Sequence, residues 1–203
     1  MLKNKSIFSF LHFSYLLGFI VLFFLCVYSS ENQAMFGLSK SYDVELSPKV
    51  KGRVMDKGKV LSGTEVMRKL YYKGYDKSPV TDYALTDTHG EFSFDELIIK
   101  SKAPGNIFGQ DYIVTQEISI KKDSKDIKDE ADDGYYWLWA MSKGWRSVPP
   151  VSNILLTLDA DLQNEEAQYD LDIGQYGGPT NEPLISICNF DEDAINNLLS
   201  TGF

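Results

Sequence analysis

From Val44 onward the chain alternates apolar and polar residues with a period of two. Val50, Gly52 and Val54 alternate with Lys51, Arg53 and Met55. Val66, Leu70 and Tyr72 share one face of the next run, with Lys69 and Tyr71 on the other. Val114, Gln116, Ile118 and Ile120 alternate with Thr115, Glu117, Ser119 and Lys121, and Ile154, Leu156 and Leu158 continue the habit. Successive side chains on a strand point to opposite faces, so this period specifies half-buried strands and disfavours amphipathic helices. Compact breaks separate the runs at Asp56–Lys59, Lys73–Asp76 and His89-Gly90, with a longer loop at Ala103–Asn106. Glycine supplies the positive φ that such turns need. Eight or nine strands at this spacing predict an all-β sandwich. One short helix is expected at the C-terminus. Asp191 caps it, Glu192 and Asp193 fill its first turn, and Ala194, Ile195, Leu198 and Leu199 form its apolar face.

The N-terminus obeys a different rule. Residues 1–30 contain no Asp or Glu, two Lys and 20 residues of the apolar class. Lys3 and Lys5 precede an apolar run from Tyr15 to Tyr28. A basic start followed by such a run is read by the secretion machinery. Counted from Ile7, the stretch over residues 7–28 is 22 residues long, enough to span a bilayer as a helix. Three readings stay open: a retained inner-membrane anchor facing the periplasm, a cleaved signal that leads to export, and a start at Met35 that leaves the chain cytoplasmic. Val27 and Ser29 are available as cleavage-site residues, while Leu25 before Cys26 disfavours lipidation. The expected organisation is residues 1–34 as signal or anchor, 35–190 as the β-sandwich and 191–203 as the C-terminal helix.

Charge excludes one class of partner. The whole chain carries −9, and residues 31–203 carry 18 basic against 29 acidic groups. Nucleic-acid binding is driven by Lys and Arg displacing condensed counterions, so an acidic domain is not built for it.

Residues 50–97 carry a family resemblance. Gly52, Val54, Gly63, Val66, Thr86, Asp87, Gly90, Phe92, Phe94 and Leu97 are similar, position by position, to the strand and turn pattern of the carboxypeptidase regulatory-like domain. The resemblance implies a transthyretin-like (prealbumin-like) sandwich, with Asp87 accepting N–H groups across a tight turn. It implies no activity, because unrelated proteins use this fold in accessory roles. Hydrolases of the transthyretin-like class rely on histidines and a C-terminal motif that this chain lacks. The stretch from Met35 to Gly105 also resembles a family of small bacterial proteins of this sandwich type.

Chemistry-bearing residues are sparse. His89 falls in a turn and reads as a surface residue without a positioned partner. Cys188 lies in the apolar run Leu184–Cys188 and reads as a buried thiol. No G-x-S-x-G, H-E-x-x-H or C-x-x-C occurs, and neither a cofactor nor a metal is expected. The acids Asp126, Asp129, Glu130, Asp132 and Asp133 do not fit a twelve-residue calcium loop and read as a solvated loop. A second acidic group, Asp159 to Asp172, reads as the outer face of a hairpin turning at Gln163-Asn164.

All three tryptophans lie within nine residues. A regular strand places Tyr135, Trp137, Trp139 and Met141 on one face and Tyr136, Leu138 and Ala140 on the other. Such a strand is either packed on both sides or presents an aromatic surface. Trp137, Trp139, Trp145 and Arg146 are the candidate binding residues. The expected function is a non-catalytic, extracytoplasmic protein-interaction module of the bacterial envelope, for which an immunity or inhibitor protein is one concrete form. Its partner is another envelope protein. The alternative is a carbohydrate- or cell-wall-binding module, with polysaccharide on the aromatic surface.

Overall fold

The computed structural model describes residues 40–105 and 112–199, together with Ile20. The expected helix over residues 7–28 otherwise lies outside the described residues. Among the described residues, no helix is long and apolar enough to cross a membrane.

The strands follow in the order β1 (Tyr42–Ser47), β2 (Val50–Asp56), β3 (Lys59–Val60), β4 (Glu65–Tyr72), β5 (Val80–Leu85), β6 (Glu91–Phe94), β7 (Leu97–Ser101), β8 (Val114–Lys121), β9 (Tyr135–Lys143), β10 (Leu158–Asp161), β11 (Ala167–Leu171) and β12 (Glu182–Ser186). Two short helices complete the set: α1 (Pro149–Ile154) and α2 (Glu192–Asn196). The fold is an all-β, sandwich-like arrangement. The larger sheet has the order β11-β12-β9-β8-β4-β5 and is antiparallel throughout. The smaller one centres on β2, which pairs in parallel with β10 and antiparallel with β3 and β6. A separate ribbon joins β1 to β7.

Inward residues of both sheets build the core that the period-two pattern predicts. Val50, Val54, Phe92 and Phe94 meet Val66, Ile118, Leu138 and Trp139 in the main cluster. A second cluster gathers Val44, Leu46, Leu70, Tyr72, Ile99 and Val114 under the β1–β7 ribbon. A polar seam lies between them. Arg68 is in phase with the apolar Val66 and Leu70, and its side chain is only 4% exposed. Its Nε and Nη2 donate to the Asp82 carboxylate at 3.0 and 2.6 Å. Its Nη1 donates to Ser47 Oγ and to the Asp95 carbonyl, and the Phe94 ring stacks on the guanidinium at 4.7 Å. Gln116 Nε2 also donates to Ser47 Oγ, which itself donates to the Pro48 carbonyl. A buried cation persists only where its donors are satisfied, and these contacts do that.

The turn before β6 has the expected chemistry. Asp87 Oδ1 accepts the N–H groups of His89 and Glu91 at 2.8 and 2.9 Å. Gly90 has φ +73°, and a Cβ there would meet the Val54 carbonyl at 2.6 Å. Phe92 and Phe94 pack edge-on inside. The C-terminal helix starts where expected but is shorter: α2 ends at Asn196, Leu198 and Leu199 follow it, and Leu199 is exposed, while residues 200–203 lie outside the described residues. Asp191 Oδ1 accepts from Ala194 N at 2.9 Å, and Ile195 and Leu198 are buried.

Two expectations are corrected. Ile154 and Leu156 are not strand residues: Pro149-Pro150 opens α1, and the strand begins only at Leu158. Proline suits the first turn of a helix, where its missing N–H costs nothing. The acidic group Asp159–Asp172 does not form a hairpin either. The chain turns at Asp161–Asn164 as anticipated, but β10 joins β2 while β11 joins β12 in the other sheet. Asp161 explains the crossing. Its carboxylate accepts from Lys57 N, Gly58 N and Gln163 N, which ties the end of β10 to the β2–β3 turn. Those N–H groups hold the Asp161 carboxyl below its ordinary pKa.

Candidate functional site

The aromatic strand β9 is not regular. Ile118 pairs with Trp139 and Ser119 with Trp137, so Leu138 is an extra residue, a β-bulge. The bulge changes which side chains face in. Leu138 and Trp139 are both fully buried, whereas Trp137 and Tyr135 are turned to the outer face and half-buried. The bulged carbonyl is not orphaned. Leu138 O accepts from Ser186 Oγ at 2.7 Å and from Cys188 Sγ at 3.2 Å.

This corrects the placement of Trp139. It is a core residue, packed edge-on against Phe190 at 6.2 Å, and presents no binding surface. Trp145 and Arg146 lie at the other end of β9 from Trp137. Trp145 packs on the second core cluster and edge-on against Tyr42 at 5.5 Å. Arg146 covers its ring at 4.9 Å. Lys143, in phase with Met141, is buried and fixes this loop. Its Nζ donates to the carbonyls of Glu45 and Arg146 and pairs with the Glu45 carboxylate at 3.2 Å. Burial lowers the Lys143 pKa, with Glu45 opposing. The three tryptophans therefore form no common platform.

A different surface replaces it. Trp137 opposes Ser119, Ser119 opposes Met67, and Met67 opposes Tyr83. These residues make one row across β9, β8, β4 and β5 on the outer face of the larger sheet. Four strands span about 14 Å. Ser119 is fully buried, so its larger neighbours cover it. At the β5 end Tyr83 is 58% and Leu85 67% exposed. Tyr135 stacks at a tilt on Trp137, with ring centres 5.6 Å apart. Beside the row, Lys69 pairs with Glu117 at 3.7 Å, and Lys121 and Glu65 bound its other side. An apolar centre with a charged rim has the anatomy of a protein-contact patch.

The loop between β8 and β9 holds the aromatic end. Asp132 accepts from Lys122 Nζ at 2.8 and 3.0 Å and from the N–H groups of Lys128 and Gly134. The Lys122 ammonium and those N–H groups hold the Asp132 carboxyl at about 2. Asp133 Oδ2 accepts from the Trp137 indole at 2.6 Å. These acids are turn-forming and ring-orienting groups. Among the described residues no set of three His, Cys, Asp or Glu side chains converges as a metal site.

His89 is exposed in its turn. Cys188 is buried, and burial pushes its thiol up to about 12, far from the depressed value a nucleophile needs. Its visible role is the bond to the bulge.

Residues 50–165, more than half of the chain, match a family described as Domain of unknown function (DUF6795). The chain belongs to this family. The match includes every residue of the Trp137–Tyr83 row. No curated protein and no solved structure matches the chain.

Sequence reasoning singled out Trp137 but missed Met67 and Tyr83. Each is an outward residue on an alternating strand, and only sheet order brings them to Trp137. A signal did exist in β5, where Tyr83 and Leu85 hold the positions at which a solvated strand usually carries polar residues.

Proposed function

We propose that the chain is a non-catalytic protein-interaction module of the bacterial envelope, extracytoplasmic and either anchored or exported through residues 7–28. An immunity or inhibitor protein is one concrete form. It docks its partner through the outer face of the larger sheet. The observation that carries this reading is the row Trp137–Ser119–Met67–Tyr83, with Leu85 beside it, in register and uncovered at the β5 end. Large aromatic side chains supply much contact area at low conformational cost, and a methionine adapts its shape to what it meets, which is why both recur at protein contacts. The buried, protonated thiol of Cys188 supports a non-catalytic role. We propose in addition that the sandwich is of the carboxypeptidase regulatory-like, transthyretin-like type. The Asp87–Gly90 turn and the inward Phe92–Phe94 pair support that assignment.

The carbohydrate reading loses its original basis with the burial of Trp139. The Tyr135–Trp137 pair is what remains of it, and that pair is tilted by 38° rather than coplanar.

Site-specific photocrosslinking in the native envelope tests the docking face. A crosslinker at position 83 should trap one discrete protein adduct, while one at position 156, on the smaller-sheet side, should not. Adducts of equal yield from both positions, or from neither, would contradict the assignment.

A further inference from the structure

A cleft of 540 Å³ adjoins the docking face, between the β8–β9 loop and the turn after β10. Tyr135 lines both this cleft and the hollow beside the aromatic row, so the two adjoin at its ring. The floor is apolar, formed by Leu162 and Ile187. Tyr135 and Tyr136 supply ring walls. The rim carries Asp126, Glu165 and Glu166. Of the two lysines in the lining, Lys122 is neutralised by Asp132, and only Lys128 opposes the three carboxylates. The cleft thus has an excess of negative charge.

Apolar floor, aromatic walls and acidic rim match one side chain in each part. An arginine lays its methylene stem on apolar surface, its guanidinium on aromatic faces and its charge against carboxylates. Tyr136 already faces a cation in this way, with Lys122 Nζ 5.2 Å from its ring. We propose that this cleft receives an arginine side chain of the docked partner protein. The proposal rests on the docking reading and deepens it by naming the chemistry of the partner: an apolar patch flanked by an exposed arginine. A saccharide would also use ring walls, but it leaves the charge excess unanswered.

The test is an NMR titration of the full-length chain in neutral detergent micelles. The probes are N-acetyl-arginine amide, its uncharged analogue N-acetyl-citrulline amide, and chitotetraose. The arginine amide should shift the amides of Tyr135, Tyr136, Leu162 and Ile187 saturably, and the citrulline amide should not. Asp126→Asn, Glu165→Gln and Glu166→Gln combined should weaken the arginine response about tenfold or more, and raised salt should weaken it in the wild type. The unchanged remainder of the spectrum checks that the variant folds. Absent shifts, equal shifts with citrulline, or shifts at these amides with chitotetraose alone would overturn the proposal. Those outcomes leave the docking face intact if position 83 still crosslinks a partner. Loss of crosslinking there strikes at the docking reading itself.

Discussion

Arg68 shows what a single inward charge demands. Its guanidinium is buried, while Asp82, its only ionic partner among the described residues, is 41% exposed. Losing one member of such a pair leaves a charge without compensation, whereas replacing both by apolar groups removes the problem. Asp82→Asn should therefore cost about 1–3 kcal/mol in urea unfolding, and the double variant Arg68→Met/Asp82→Leu should cost less than Asp82→Asn alone. A double variant less stable than the single one would contradict this account. Asp132 sets an acid limit. Its folded pKa of about 2 lies below the ordinary value of 3.8. A depressed carboxyl contributes stability above its unfolded pKa and loses it as pH falls through the folded one. Stability should thus decline from about pH 4 toward pH 2, and Asp132→Asn should flatten that part of the profile. An unchanged acid profile in the variant would refute the assignment.

The decisive element is the bulge in β9. Shifting a strand by one residue exchanges its faces, and here the extra Leu138 turns Trp137 outward while Trp139 stays in the core. Ser186 and Cys188 hold the bulged carbonyl. Ser186→Ala combined with Cys188→Ala should cost about 1–3 kcal/mol and broaden the indole resonance of Trp137 more than that of Trp145. Equal effects on both indoles would argue against a local role. This element also marks the limit of what the sequence discloses. Alternation in β2, β4 and β8 is visible residue by residue, because each strand hides one face. The Asp87–Gly90 turn and the Asp191 cap are visible because their contacts are local. The bulge is not: its cause lies in Ser186 and Cys188, about fifty residues away. Likewise Gln163-Asn164 reads correctly as a turn, but the sheets joined by β10 and β11 depend on partners distant in sequence. Arg68 falls in phase with Val66 and Leu70, yet its meaning depends on Asp82, Ser47 and Asp95.

At the scale of the molecule, the two sheets differ in what they cover and what they expose. The smaller sheet and the β1–β7 ribbon close the cores, and the larger sheet offers its outer face, aromatic near β9 and exposed at β5. The acidic cleft adjoins that face at Tyr135. An acidic chain with such a surface suits a basic partner, because complementary charge speeds encounter while a few buried side chains carry affinity. The affinity of the purified chain for the partner crosslinked at position 83 tests this most directly. Trp137→Ala and Tyr83→Ala should each weaken binding about tenfold or more, and Trp145→Ala and Leu156→Ala should change it less than about threefold. Binding that survives the first pair and is lost with the second would show that the contact lies elsewhere on the molecule.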